Sequence, residues 1–531
     1  MEEFLGRSLQ KLREASILAA QRVEKLESFS HIATRESLVE LISKKLKGRN
    51  LLLASNREPY VHFYQGDEVA WLRTAGGLTT ALDSVASAVN ATWVCHGDGE
   101  ADFRVTDESS IVGVPPGNPH YRLKRLRLSR AEVRGYYEGF ANEVLWPLCH
   151  VCYVRPKFNV DHWQIYQEVN RKFAKAILEI ATPSSIVFLQ DYHLSLVAKY
   201  LKEERSDLTT LLFWHIPWPN PEIFQICPWK KEILEGLLAN DILGFHLYYH
   251  ASNFMETVGL ELESRLDWEQ MQISRQANYT RIRAYPISVD FTSIFQQAAR
   301  PDTAKACQEI ITTHRLHGKK IGLGVDRLDY TKGVLERLDA FEHLFEKYPD
   351  YQGKVSFIQI GVPSRTKLED YQAVVTRIEN RCLAINAKYA RPEWDPIIFL
   401  KGQQSFDALI PFYKLADFCA VSSLHDGMNL VAKEFVAASS NDRGVLILSR
   451  FTGAARELTQ ALQVNPYDRE AFTDAIHQAL SMPAEEQKNR LERMRLTVAE
   501  NNIFTWAQAI FNDVIRLVGD NPTANGTGTP T

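Results

Sequence analysis

A chain of 531 residues exceeds what one hydrophobic core usually organises, so two domains with added extensions are expected. Its 45% hydrophobic and 24% charged residues, with a formal net charge of -4, are those of a soluble globular protein. They exclude a nucleic-acid-binding surface as its main business. Seven cysteines, scattered and odd in number, suit reduced thiols better than a disulfide framework. No signal-peptide pattern and no apolar run near the roughly 20 residues of a membrane span occur. A cytoplasmic protein without a membrane partner is therefore expected.

Residues 1–48 form a charge-rich helical extension in which Leu5, Leu9, Leu12, Ala19, Val23 and Leu26 fall on alternating four- and three-residue steps, interrupted at Ser16. This reads as a helix lying against its own domain, with a weak coiled coil and a homo-oligomer as the alternative. From residue 50, short apolar runs alternate with longer amphipathic stretches, the pattern of parallel sheets covered by helices. The runs are 51–54, 186–189, 211–214, 242–245 and 282–285 in one half, and 321–325, 355–360, 397–400, 418–421 and 445–448 in the other. Ligands in open parallel sheets sit beyond the carboxyl ends of strands. Nearly every unusual polar cluster follows one of these runs: Asn56-Arg57, Asp191-Tyr192-His193, His215, Arg327 with Lys332, Ser364-Arg365 and Asp426-Gly427. The economical fold class is α/β, with two Rossmann-like domains facing across a cleft. The expected division is 49–288 for the first domain, 289–500 for the second, 501–518 for a closing helix and 519–531 for a disordered tail.

Between Ser422 and Glu434 a buried-strand run breaks into a glycine turn and opens a helix, where unpaired amides suit a diphosphate. Asp426 before that helix and Glu434 two turns into it can each take sugar hydroxyls. The bland alternative makes Asp426 an ordinary N-cap and Leu430, Val431 and Ala432 core. Arg327 and Lys332 place two cations at a strand end, with Gly333 allowing tight entry into the next helix. Cations there can neutralise a departing diphosphate, or can simply be solvated. Gly76-Gly77 is a turn at which backbone approaches a ligand. Arg57, Tyr137, Trp146 and Arg365 suit a sugar phosphate, two guanidiniums and a phenol for the monoester and an indole for the ring; Tyr137 and Trp146 read equally well as core aromatics. No Asp-x-Asp motif occurs. The acidic loop Gly97–Asp102 lacks the ligand count of a dedicated cation site, and Cys149 with Cys152 reads as two partly buried thiols, so no metal and no cofactor are expected.

Taken together, Ser55-Asn56-Arg57, Ala75-Gly76-Gly77-Leu78, Tyr136-Tyr137, Leu145-Trp146-Pro147, Asp191-Tyr192-His193-Leu194, His215-Ile216-Pro217-Trp218-Pro219, Arg327 through Gly333, Pro363-Ser364-Arg365 and Asp426 through Glu434 resemble the trehalose-6-phosphate synthase family. These are retaining GT-B glycosyltransferases of family 20. The resemblance implies a glucosyltransferase of trehalose biosynthesis that moves glucose from a nucleotide-glucose, UDP-glucose first among them, to glucose 6-phosphate. It implies that Arg327 and Lys332 hold the donor diphosphate with the amides of Leu430 and Val431, beside Asn429. Glu434 would bind the ribose, Phe406 would lie near the base, Gly76 and Gly77 would close over the donor, and Asp426 would bind the transferred glucose. Arg57, Tyr137, Trp146, Asp191 and Arg365 would bind the sugar-phosphate acceptor. His215 would sit beside the anomeric centre, where Ile216 and Trp146 shape anomer choice. Arg327, Lys332, His215 and Asp426 are thus the expected catalytic set, and a separate phosphatase is expected to release free trehalose.

Retention by double displacement needs a carboxylate nucleophile, and the carboxylates here already have sugar-hydroxyl roles, so same-face attack is expected. One position departs from the family. His96 stands where a second tryptophan is usual, which leaves a glucosylglycerol-phosphate synthase using glycerol 3-phosphate as the alternative. A non-catalytic sugar-phosphate sensor is the alternative of another class, against which Arg327, Lys332, Asp426 and Glu434 all stand. The nucleotide base is not legible.

Overall fold

The computed structural model describes residues 32–74, 77–276, 278–402 and 404–519. The helical seam from Leu5 to Leu26, Gly76 and the expected tail beyond residue 519 lie outside the described residues.

All ten apolar runs form strands, and among the described residues eight further segments join them. In chain order the strands are β1 (Leu51–Ser55), β2 (Tyr60–Gln65), β3 (Glu68–Arg73), β4 (Thr92–His96), β5 (Ile111–Val114), β6 (Tyr121–Leu126), β7 (Ile186–Gln190), β8 (Thr209–Phe213) and β9 (Ile242–Phe245). They continue with β10 (Arg265–Asp267), β11 (Gln272–Arg275), β12 (Asn278–Ala284), β13 (Lys320–Leu328), β14 (Val355–Pro363), β15 (Ile397–Lys401), β16 (Phe418–Val421), β17 (Val445–Ser449) and β18 (Leu462–Val464). The first sheet runs β10-β11-β12-β9-β8-β7-β1-β4-β6-β5, parallel from β12 to β6 and antiparallel at both edges. The second runs β15-β14-β13-β16-β17-β18 and is parallel throughout. Strands β7, β8 and β17 are buried at every residue, as sheets covered by helices on both faces require.

Each sheet has one switch point. In the first, the chain works outward from β1 to β4 on one side and then from β7 to β8 and β9 on the other; in the second, β13 to β14 and β15 lie opposite β16 to β17 and β18. A crevice opens where two strands feed connections to opposite faces, so ligands are expected beyond β1 and β7, and beyond β13 and β16. Those four strand ends carry Arg57, Asp191, Arg327 with Lys332, and Asp426.

After the second sheet the chain returns to the first. The helix Ile503–Gly519 lays Trp506 against Phe213 and Phe188, with ring centroids 5.3 Å and 5.9 Å apart, and its Asp513 accepts a 2.5 Å hydrogen bond from Tyr285. Of the N-terminal extension, the helix Arg35–Lys45 is described. Thr34 caps it reciprocally with Ser37, and it lies against its own chain: Arg35 donates to the Ser87 carbonyl at 3.1 Å, and Gln508 to Ser37 Oγ at 2.7 Å. All seven cysteines are free, Cys149 buried and Cys152 half-buried. No helix among the described residues is long and apolar enough to cross a membrane.

Candidate active site

Between the carboxyl ends of the two sheets lies a cavity of about 740 Å³. Arg57, Tyr137, Trp146, Asp191, His215, Ile216, Arg327, Lys332, Arg365, Phe406, Asp426, Asn429, Leu430, Val431 and Glu434 all line it. Gly77 opens the helix Gly77–Val89.

On the second-sheet wall the segment after β16 folds back over β13. Gly333, at φ +61°, sits where any Cβ would lie 2.1 Å from the Ser422 carbonyl oxygen, so only glycine lets the two connections pass. That closeness brings Lys332 Nζ to 2.6 Å from Asp426 Oδ2. Ser423 Oγ and Asn429 Nδ2 donate to the same oxygen at 3.1 Å and 3.2 Å. Burial acts to raise the Asp426 carboxyl, but the Lys332 charge and these donors hold it well below the usual carboxylate range. Glu434 is buried and accepts a 2.7 Å hydrogen bond from Tyr413; burial outweighs that bond and pushes its carboxyl up to about 7. Two expectations are corrected here. The N-cap of the helix Leu430–Ala438 is Asn429, whose side chain accepts from the Ala432 amide, and not Asp426, which is left to face the cleft. Glu434 comes little more than one turn into that helix, not two, so its carboxylate and the first-turn amides open on the same cavity. Ala432 is core, whereas Leu430 and Val431 are half-buried at the cleft.

The facing wall gathers cations around aromatic rings. Tyr137 lies on a π-helical segment, Val133–Leu145, that runs directly into the short helix Trp146–His150. Arg57 Nη2 donates to Tyr137 Oη at 2.9 Å. Burial works to raise that phenol, but Arg57, Arg365 and Arg327 outweigh it and bring it down to about 7. Arg365 reaches across from the end of β14, its guanidinium 3.9 Å above the Trp146 ring, while Arg327 lies 5.3 Å from the same ring. Asp329 Oδ2 and Tyr192 Oη accept from Arg365 at 3.1 Å and 3.2 Å, and Tyr371 Oη accepts a further short bond. Arg327 has no carboxylate partner among the described residues. The pocket mouth is thus rich in donors and positive charge, with an indole floor.

Between the walls, Asp191 takes φ +72° just after β7, and its Oδ1 accepts from the amides of Tyr192 and His215 at 3.0 Å and 3.2 Å. Burial raises its carboxyl to about 7. Gln190 Oε1 lies 2.8 Å from His215 Nε2, and burial holds that imidazole neutral, far below its ordinary value. Gly97–Asp102 is not an open cation loop: Asp102 is fully buried, accepts from the amides of Gly99 and His62, and pairs with Arg125 at 3.1 Å. Among the described residues no group of three or more His, Cys, Asp or Glu is placed to hold a metal ion.

Sequence reasoning gave no role to Gln190, Tyr192, His193 or Asp329. His193 stacks on Tyr137 at 5.6 Å between ring centroids, and Asp329 anchors Arg365. Tyr192, His193 and Asp329 sit inside stretches already singled out, and a polar Gln190 closing a buried apolar strand is a signal that could have been used.

Two parallel sheets facing across one cleft, with ionic side chains at both switch points, define the architecture of a GT-B glycosyltransferase. The chain belongs to glycosyltransferase family 20, the trehalose-6-phosphate synthase family, whose model matches residues 49–516. The trehalose-6-phosphate synthase of Mycobacterium ulcerans is 38% identical over 456 residues, 84% of this chain and 89% of that protein. Among solved structures, the UDP-forming α,α-trehalose-phosphate synthase of Burkholderia xenovorans in complex with glucose-6-phosphate superposes with a TM-score of 0.80 at 30% identity, covering 88% of this chain and 99% of that one. An E. coli structure bound with UDP-2-fluoro glucose has a TM-score of 0.77 at 32% identity, with the same coverage.

Proposed function

We propose that this glycosyltransferase moves glucose, with retention, from UDP-glucose to glucose 6-phosphate, releasing UDP and trehalose 6-phosphate. The observation that carries this reading is the pairing of two anion-ready pockets in one cleft. Arg57 and Tyr137 pair beside Arg365, which lies over Trp146, and Arg327, Lys332 and the opening of the helix Leu430–Ala438 line the same cavity. The first suits a phosphate monoester, with the indole backing the guanidinium that would hold it; the second suits a diphosphate. The relatives' UDP-sugar analogue and glucose-6-phosphate support the same two ligands. Asp426 then orients the transferred glucose, Glu434 the ribose, Phe406 the base, and His215 with Ile216 borders the anomeric carbon.

The chemistry follows from which groups are free. Asp426 Oδ2 takes bonds from Lys332, Ser423 and Asn429, and Asp191 Oδ1 from two backbone amides, which fixes both carboxylates for positioning sugar hydroxyls, and neither is taken as a nucleophile in this reading. Departure of the diphosphate leaves an oxocarbenium-like sugar; the acceptor hydroxyl attacks the same face and passes its proton to the leaving phosphate oxygen, which Arg327 and Lys332 stabilise. The division at 288/289 and a cytoplasmic location belong to this reading. A grid of UDP-, ADP- and GDP-glucose against glucose 6-phosphate and glycerol 3-phosphate tests it. Turnover with glycerol 3-phosphate alone would replace the acceptor, and binding without nucleotide release would replace the enzyme by a sensor.

A further inference from the structure

The loop that carries Asp426 grips the opposite wall at two points. Gly427 lies so near the first sheet that a Cβ would sit 2.3 Å from the His215 carbonyl oxygen. Two residues earlier, His425 Nδ1 donates to the His150 carbonyl oxygen at 2.8 Å. Both His150 and His425 are singly protonated on Nδ1, because each of those nitrogens faces a carbonyl oxygen that can only accept. The His150 bond runs to Trp146 O at 2.9 Å, and its ring packs against the Trp146 ring, centroids 4.0 Å apart and tilted by 32°. Trp146 is the surface on which Arg365 and Arg327 rest. His250 also meets His425, with ring centroids 6.3 Å apart; burial holds His150 and His250 down to about 3 and lowers His425, so the rings that meet here are neutral and the bond is not screened by salt.

We propose that His425 is a positioning residue that couples occupancy of the phosphate-monoester pocket to the placement of Asp426, through Trp146 and His150. This rests on the reading that a sugar phosphate fills the pocket of Arg57, Tyr137 and Arg365. A ligand there loads Arg365 and the indole beneath it. The helix Trp146–His150 spans only five residues, so a shift of Trp146 is carried to the carbonyl that His425 holds, and the next residue is Asp426. His425 itself is not among the residues lining the cavity, and it acts on the reaction only through its neighbour. Coupling between two sites is reciprocal, so each ligand tightens the other by the same factor. A chain of contacts does not measure that factor, whereas a cycle of variants and ligands does.

Calorimetry on the full chain supplies the test, with UDP as probe, alone and with saturating glucose 6-phosphate; UDP reads the placement of Asp426 through Lys332, which pairs with that carboxylate and is proposed for the diphosphate. The wild type is expected to bind UDP at least about fivefold more tightly with the acceptor present. His425→Asn, whose amide can donate from the Nδ1 position, should keep that factor to within about twofold. His425→Leu should bind UDP alone about as the wild type does and lose the factor. Should His425→Leu fail to fold, His425→Phe, which keeps a ring but has no donor for the His150 carbonyl, should lose the factor instead, and full coupling in it would equally overturn the proposal. If glucose 6-phosphate supports no turnover, the acceptor reading fails and the same cycle is run with the acceptor that does. Full coupling in His425→Leu, equal loss in His425→Asn, or no coupling in the wild type with its working acceptor would overturn the proposal.

Discussion

Lys332 Nζ lies 2.6 Å from Asp426 Oδ2, which pairs the cation proposed for the diphosphate with the carboxylate proposed for the sugar. The side chains are only 11% and 13% exposed, so the pair is buried, and removing one partner strands the other. Lys332→Ala is expected to destabilise the protein by about 3–5 kcal/mol in urea at pH 7. The sign with pH follows from the depressed Asp426 carboxyl: its stabilisation is present above the ordinary carboxylate value and is lost as pH falls through the folded one. The gap between wild type and variant should therefore narrow in acid. A gap below about 1 kcal/mol at pH 7, the scale of an exposed pair, would mean that Ser423 and Asn429 suffice to hold Asp426.

Glu434 carries the opposite shift. Burial raises it to about 7, so below that pH the free enzyme presents a carboxylic acid rather than a carboxylate where the ribose is proposed to bind. UDP-glucose, which has no group of its own titrating there, should bind about tenfold less tightly one unit below pH 7 than well above it. Glu434→Gln should flatten that dependence. Persistence of the same slope in Glu434→Gln would assign it to Asp191 or Tyr137, which burial and the facing arginines respectively also bring to about 7.

Tyr137 can be read directly. Arg57, Arg365 and Arg327 bring its phenol to about 7, so a tyrosinate should grow in at 295 nm two to three units below the ordinary value near 10. Arg57→Ala removes the nearest charge and the 2.9 Å hydrogen bond, and should move that transition upward. A phosphate dianion in the same pocket should do likewise, since it competes with the phenolate for the guanidiniums. No transition below pH 9 would show that burial prevails over the arginines.

The ten strands read from sequence were legible because parallel strands covered on both faces are nearly continuous apolar runs. Strand β6 hid itself: Lys124 and Arg125 interrupt its pattern, yet both are buried, paired with Glu179 at 2.9 Å and Glu58 at 2.8 Å. Neither partner is near in the chain. The hairpin β2–β3 escaped for the opposite reason, since Tyr64, Val69, Trp71 and Leu72 stand exposed and leave no alternation of buried and open faces. Of the cleft, strand-end residues could be named because the topology collects them at one edge. What they do to one another could not: that Asp329 anchors Arg365, that Gln190 meets His215, and that Asn429 rather than Asp426 caps the helix all depend on side-chain geometry between distant segments.

Arg327 is half-buried, has no carboxylate partner among the described residues, and points over Trp146 at 5.3 Å from the ring. Lys332, by contrast, is already engaged by Asp426 before any ligand arrives. Arg327 is thus the cation with charge to spare as the diphosphate departs, and its loss should be felt in the transition state more than in the ground state. Arg327→Ala is expected to lower kcat by about 10²–10³, or about 2.7–4 kcal/mol, with the KM for glucose 6-phosphate changed by less than about threefold. Arg327→Lys should recover little, because an ammonium lacks the planar fork that matches two phosphate oxygens and stacks on an indole. Steady-state kinetics with each substrate varied in turn check both. A variant with near-normal kcat and a raised acceptor KM would move Arg327 from the leaving group to the acceptor pocket, and would leave the departing charge to Lys332 and the helix amides.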